Sequence, residues 1–206
     1  MKCSKEPSSE LNADFWNQRY VDSDTGWDLG AAAPALVDYF EKMECKNKSI
    51  LIPGCGNAHE AQWLLSHGFK NITLIDIAPA LVERLLHKLE DHIGKELTMI
   101  AGDFFRHNGQ YDLIIEQTFF CALDPSLRVA YAQHMHRLLK PDGKLAGLLF
   151  DKQFESNPPF GGSRDEYVRL FQPLFTIEKM EICTNSVEKR MGGELFVEFT
   201  PVSASA

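Results

Sequence analysis

The sequence predicts an α/β fold: one doubly wound, mostly parallel seven-stranded sheet with helices on both faces and an antiparallel edge. Three observations carry this. From about residue 48 onward, short apolar runs alternate with amphipathic helical stretches, the pattern of a sheet buried on both faces. Glycine and acidic signals fall where those runs end, as they do when loops gather at the carboxyl edge of such a sheet. The last two runs have no helix between them and form an antiparallel pair. The 206 residues are read as a single domain, with 1–47 as a helical lid segment and 48–206 as the α/β core.

In chain order, Phe15, Trp16 and Tyr20 have near-helical spacing, and a second helical stretch runs from Pro34 to Glu44 after the turn signal Asp24-Thr25-Gly26. Ser49 to Pro53 is a strand ending in Gly54-Cys55-Gly56. Asn57 to His67 is helical, with Ala61, Leu64 and Leu65 on one face and Gly68 at its end. Asn71 to Ile75 is a second strand. Pro79 to His92 is a helix opened by proline, and Glu96 to Ala101 is a third strand. Tyr111 to Glu116 is a fourth strand. Asp124 caps and Pro125 begins a helix that ends near Pro141-Asp142-Gly143. Lys144 to Phe150, a helix from Arg164 to Phe171, and strands Phe175 to Cys183 and Glu194 to Thr200 complete the order.

Composition narrows the function. With 29 acidic against 21 basic residues the formal charge is −8, which disfavours an extended phosphate-binding surface and favours a small-molecule acceptor over nucleic acid. Cys3, Cys45, Cys55, Cys121 and Cys183 are odd in number and scattered, neither a disulfide framework nor a zinc site. They read as reduced thiols of a cytoplasmic protein. Met1 to Asp14 is polar without a signal-type apolar core, and no apolar run approaches the roughly 20 residues of a membrane span. A monomer with no bound metal and no membrane partner is expected, with Ser203 to Ala206 a frayed tail.

The polar residues at the strand ends define a candidate site. Gly54 and Gly56 end the first strand and Asp76, followed by Ile77, ends the second. Asp103-Phe104 follows the third strand and Glu116-Gln117 the fourth. Asp76 lies 20 residues past Gly56, the spacing at which a carboxylate accepts hydrogen bonds from ribose hydroxyls. Asp103 can receive an adenine amine while Phe104 packs on the base. Together these indicate an adenosine cofactor. A dinucleotide site needs a third glycine three residues after Gly56, and that position is His59. S-adenosyl-L-methionine has no pyrophosphate and tolerates a side chain there.

The stretches Leu51-Ile52-Pro53-Gly54-Cys55-Gly56, Ile75-Asp76, Gly102-Asp103-Phe104, Phe119-Phe120-Cys121-Ala122-Leu123 and Leu139-Lys140-Pro141-Asp142-Gly143-Lys144 resemble the thiopurine methyltransferase family, which includes the halide and thiol methyltransferases. The likeness extends to Trp27-Asp28-Leu29-Gly30 and to Asn157-Pro158-Pro159-Phe160-Gly161-Gly162, nearly the whole chain. It implies that Trp16 and Trp27 cover S-adenosylmethionine, that Gly54 approaches its methionine part, that Asp76 holds the ribose, and that Asp103 with Phe104 holds adenine. It also implies an acceptor-side arginine at Arg128. Tyr20 and Gln117 stand where the halide/thiol branch has tryptophan and tyrosine.

Methyl transfer from a sulfonium to an anion is favoured by a dry aromatic cavity that aligns the reactants, and Phe15, Trp16, Trp27, Phe119 and Phe120 are residues of that kind. No Ser-His-Asp or Cys-His set is present, in keeping with catalysis by positioning and no obligatory acid or base. The expected acceptor is a small soft nucleophile: thiol, hydrosulfide, halide or thiopurine-like compound. Phe15, Phe119 and Arg128 are its candidate contacts. The plainer readings are packing for single aromatics, a solvated charge for Arg128, and small buried apolar roles for Cys55 and Cys121. Phe119 and Phe120 cannot face one side together, so one belongs to the core. His134 and His136 point to different helix faces and make poor joint metal ligands. The competing functions are a nicotinamide oxidoreductase and a non-catalytic adenosine-binding module.

Overall fold

The structure, a computed structural model, describes residues 11–202. Cys3, the polar start before residue 11 and the Ser203 to Ala206 tail lie outside the described residues. Helices α1 (Ala13–Val21) and α2 (Pro34–Glu41) precede β1 (Ile50–Pro53). Next come α3 (His59–Ser66), β2 (Ile72–Asp76), α4 (Pro79–Lys88), β3 (Leu97–Ala101) and β4 (Tyr111–Gln117). The chain closes with α5 (Arg128–Leu138), β5 (Leu139–Phe150), α6 (Arg164–Phe171), β6 (Phe175–Ile182) and β7 (Glu194–Pro201).

The seven strands lie in the order β3-β2-β1-β4-β5-β7-β6. The first five are parallel neighbours, while β7 runs antiparallel between β5 and β6, so the antiparallel edge is as expected. Period-two alternation divides the core between the two faces. Ile50 and Ile52 join Phe40, Leu64 and Leu85 on one face, and Leu51 joins Tyr131, Met135 and Phe171 on the other. Both faces are covered, which is why β1 reads as an unbroken apolar run.

Several element limits differ from the sequence reading: α2 stops at Glu41 rather than Glu44 and α4 at Lys88 rather than His92, and three further shifts have a local cause. Helix α3 starts at His59 because Cys55 to Ala58 form a turn, with Ala58 in the left-handed region at φ 56°. Asp124 caps a separate 3-10 turn, Pro125–Leu127, by accepting the Ser126 N–H, and α5 begins only after it. Strand β5 starts at Leu139 rather than Lys144, since Leu139 already pairs with Tyr111 and the Pro141-Asp142-Gly143 segment is absorbed as an irregularity in the ladder.

The strand order reverses between β1 and β4, and the crevice outside their carboxyl ends is where such sheets bind ligands. Helix α1 is tied down beside it: Asn17 Oδ1 accepts the Ala80 N–H at 2.7 Å, joining α1 to the first turn of α4. Among the described residues no helix is long and apolar enough to cross a membrane.

Candidate active site

A cavity of about 650 Å³ opens at that crevice. Its walls include Trp16, Trp27, Gly54, Gly56, Asp76, Ile77, Asp103, Phe104, Gln117 and Phe119, ten of the twelve residues singled out from the sequence.

Asp76 is 7% exposed. Its Oδ1 accepts the Ala78 N–H at 3.0 Å and its Oδ2 accepts the Gly56 N–H at 3.3 Å. Those bonds fix the carboxylate at the end of β2 and leave it further lone pairs that can accept. Burial pushes its pKa up to about 6 against the opposing pull of the backbone donors. Asp103 is half-buried and its Oδ1 caps the Phe104–Arg106 turn through the Phe105 N–H at 2.9 Å, leaving Oδ2 toward solvent and Arg106. Phe104 lines the cavity yet is 4% exposed, its ring edge-on to Phe119 at 5.1 Å and to His134 at 4.6 Å. Among the described residues Gln117 Oε1 is buried with no hydrogen-bond partner, an acceptor that a bound donor would satisfy.

Glu116, which the sequence presents only as Gln117's neighbour, organises the centre of the site. It is 1% exposed, and its Oε1 accepts the Phe119 and Phe120 N–H groups at 2.8 and 2.9 Å while Oε2 accepts the Tyr131 hydroxyl. Burial raises its pKa to about 7. This anchor holds Thr118 at φ 58°, an unusual position for a β-branched residue, and directs Phe119 into the cavity and Phe120 into the core. The division expected of that aromatic pair is the one observed.

The N-terminal segment contributes an aromatic cluster. Trp27 meets Trp16 edge-on at 5.7 Å and Tyr20 at 5.8 Å. Its loop is latched on two sides. Asp28 pairs with His59 Nε2 at 2.7 Å and accepts from Asn57, and the Trp27 carbonyl accepts from Arg190 Nη2 at 2.6 Å. Glu60 Oε1 accepts the Ala33 N–H at 3.0 Å, fastening the start of α2 to the same turn.

Two expected acceptor contacts stand elsewhere. Phe15 is not in the cavity wall; its ring stands edge-on to Trp16 at 5.1 Å and supports that residue from behind. Arg128 is neither solvated nor in the wall. It is 7% exposed, bonded to the Glu166 carboxylate and to the Gly161 carbonyl at 2.7 Å, with its guanidinium 4.9 Å from the Phe120 ring. Arg128 clamps the loop before α6. The basic residues that do line the cavity there are Lys152, Lys189 and Arg190. Arg190 lies far along the chain, between β6 and β7, and no local pattern announces it. Cys55 and Cys121 are buried in the wall, and burial pushes both thiols up, so they remain protonated and non-nucleophilic. His134 is buried against Phe104, and His136 Nε2 faces the Val202 carbonyl.

A parallel sheet with β7 reversed, a glycine turn after β1, a strand-end acid on β2 and an aromatic cover define an S-adenosylmethionine-dependent methyltransferase. The chain belongs to the thiopurine S-methyltransferase family, which matches residues 11–198. A probable thiol methyltransferase 2 of Arabidopsis thaliana is 33% identical over 170 residues, covering 81% of this chain and 75% of that protein. A thiocyanate methyltransferase 1 of Brassica oleracea is 30% identical, covering 87% and 81%. A thiopurine S-methyltransferase of Pseudomonas fluorescens (strain SBW25) is 28% identical, covering 81% and 85%. In fold, the chain is similar to a Burkholderia thailandensis 1,6-didemethyltoxoflavin-N1-methyltransferase solved with S-adenosylhomocysteine, at a TM-score of 0.71 and 17% identity, covering 98% and 93%. The nicotinamide alternative finds no support: His59 fills the position of the third glycine and its ring is engaged by Asp28.

Proposed function

We propose that the methyl acceptor is a small, soft, anionic nucleophile, a thiol or hydrosulfide foremost and a halide or thiopurine-like compound within reach, and that residues 11–47 serve as the lid over the reaction. The observation that carries this is the division of charge around the cavity. Its acids, Asp28, Glu60, Asp76 and Asp103, come from the lid and from the β1–β3 half of the sheet. From Gln117 onward the wall contains no Asp, Glu or His; its charged members are Lys152, Lys189 and Arg190, set among Phe119, Phe150 and Phe154. Such a half-site attracts an anion and offers it no base, so the acceptor must arrive already nucleophilic.

S-adenosyl-L-methionine supplies, when bound, an electrophilic methyl on a sulfonium, so transfer to an anion forms one bond to carbon, breaks another and cancels two opposite charges. The residues present fit that donor. Asp76 suits the ribose, Asp103 and Phe104 suit adenine, and the unpartnered Gln117 Oε1 awaits a donor. The aromatic faces of Trp16, Tyr20 and Trp27 favour a sulfonium by about 0.5–2 kcal/mol per good contact. The chain's contribution to the chemistry is then to exclude water and align the reactants. The experiment is incubation with S-adenosylmethionine and a panel of hydrosulfide, organic thiols, iodide, amines and alcohols, with methylated product measured. Methylation confined to the soft anions is expected; methylation of amines or alcohols in preference would defeat the reading.

A further inference from the structure

Most cations that enter this half of the molecule are matched. Arg190 Nη1 is 3.2 Å from Glu194 and its Nη2 bonds the Trp27 carbonyl; Arg128 is paired with Glu166; Lys144 Nζ lies 2.7 Å from Glu198. Two lysines of the wall stand apart: Lys189 is exposed and forms no ion pair among the described residues, whereas Lys152 is unpaired and also held. It is half-buried in the cavity wall and forms no ion pair among the described residues. Its ammonium stands 5.4 Å from the Phe150 ring centroid and 4.8 Å from that of Phe154. The Arg190 guanidinium carbon is 5.3 Å from the same Phe150 ring, so the two cations share one aromatic neighbour.

The lysine is also held in place. Its carbonyl accepts the Gly162 N–H at 3.1 Å, and the Gly193 carbonyl accepts the Asp151 N–H at 2.9 Å, which fixes the backbone where β5 gives way to the loop. The aliphatic stem lies along Gly193: a Cβ there would come 3.0 Å from Lys152 Cδ, so the missing side chain leaves the stem its track. A long flexible cation threaded between glycine and two phenylalanines, without a counter-ion, has given up rotamer freedom and part of its hydration. An anionic ligand restores the balance.

We infer that Lys152 recognises a second anionic group on the acceptor, and that the preferred acceptor is an apolar organic thiol bearing a carboxylate rather than a bare halide or hydrosulfide. This rests on the soft-anion reading above and narrows it. A halide has one charge and no body; it uses neither the second cation nor the apolar wall of Phe150, Phe154, Leu123, Leu127 and Pro158. A carboxylated aromatic thiol uses both, with its thiolate at the aligned position and its carboxylate on the ammonium.

The test is kcat/KM for meta- and para-mercaptobenzoate and for the two corresponding mercaptobenzamides, in the parent protein and in Lys152→Met and Lys152→Arg, with thermal unfolding to confirm that each variant folds. The amides keep size and shape and remove only the charge. The parent should prefer at least one acid over its amide by about tenfold, the low end for a partly exposed charge-assisted contact. Lys152→Met should bring that ratio near one, mainly through KM, and Lys152→Arg should recover part of it. An acid-to-amide ratio that Lys152→Met leaves unchanged overturns this inference alone. So does a cofactor Kd that weakens about tenfold in Lys152→Met with the ratio preserved, which would assign the ammonium to the methyl donor's own carboxylate. Failure of the parent to methylate any thiol overturns the soft-anion reading itself, and this inference with it.

Discussion

The ring of Phe119 occupies the space that a side chain on Gly54 would need: a Cβ there would fall 2.7 Å from Phe119 Cγ, on a backbone at φ 55°. The glycine turn after β1 and the aromatic turn after β4 are therefore one packed unit at the point where the sheet reverses. Gly54→Ala adds left-handed strain and displaces the ring, and should cost about 1–3 kcal/mol of stability together with slower turnover in the folded protein. Phe119→Leu in the same chain should return part of that stability. Chemical denaturation of the two single variants and the double variant measures the coupling, and strict additivity would separate the two residues.

With the ribose on Asp76, as proposed, cofactor affinity should depend on pH. The Asp76 carboxyl is held up to about 6 by burial, and ribose hydroxyls donate to the ionised form. Affinity should be flat above that value and fall about tenfold per pH unit below it, since the folded apoprotein then holds a proton that binding must expel. The sign for stability is opposite. A carboxyl raised above its unfolded value binds protons more tightly in the fold, so its contribution to stability is present at low pH and is lost as pH rises through about 6. Asp76→Asn should remove the slope in calorimetric titration and weaken binding by about 1.5–3 kcal/mol at neutral pH.

Trp27 sits in a loop fastened by Asp28 to His59 and by its own carbonyl to Arg190. Trp27→Ala should leave those fastenings in place while removing the ring from the cavity wall. Cofactor release followed by stopped flow should accelerate roughly three- to thirtyfold, corresponding to the loss of one good aromatic–cation contact. A release rate equal to the parent's would reduce Trp27 to packing.

Arg128 is a structural clamp and not an acceptor guide. Arg128→Met should lower stability by about 1–3 kcal/mol, because Glu166 is left without its partner while remaining partly solvated. The acceptor's KM should not rise selectively in the folded variant. A large KM effect at unchanged stability would reverse that assignment.

The parallel sheet, its order of helices and the strand-end residues were legible because each depends on local chemistry: apolar period, proline and glycine punctuation, and acids at fixed spacing after a strand. Asp76, Gly54 and Gln117 line the crevice at the strand ends for that reason. The acceptor half was not legible. Arg190 reaches the cavity only because β7 inserts between β5 and β6, and the Lys152 stem has room there because Gly193, 41 residues away, carries no side chain. Arg128 illustrates the converse. The family resemblance implied an acceptor role, whereas Gly161 and Glu166 on the next loop and helix take its guanidinium. Partners distant in sequence decide such cases.

On the proposed function, this chain aligns an anion that is already nucleophilic and supplies no acid or base of its own. The most direct test of this is kcat/KM against pH, at saturating cofactor, for iodide and for two thiols of different pKa. Activity on each thiol should follow its own ionised fraction and then level off, so the two curves are displaced by the difference in thiol pKa, while iodide stays flat across the same range. One bell-shaped profile shared by all three acceptors would place an essential titrating group in the protein and contradict the account.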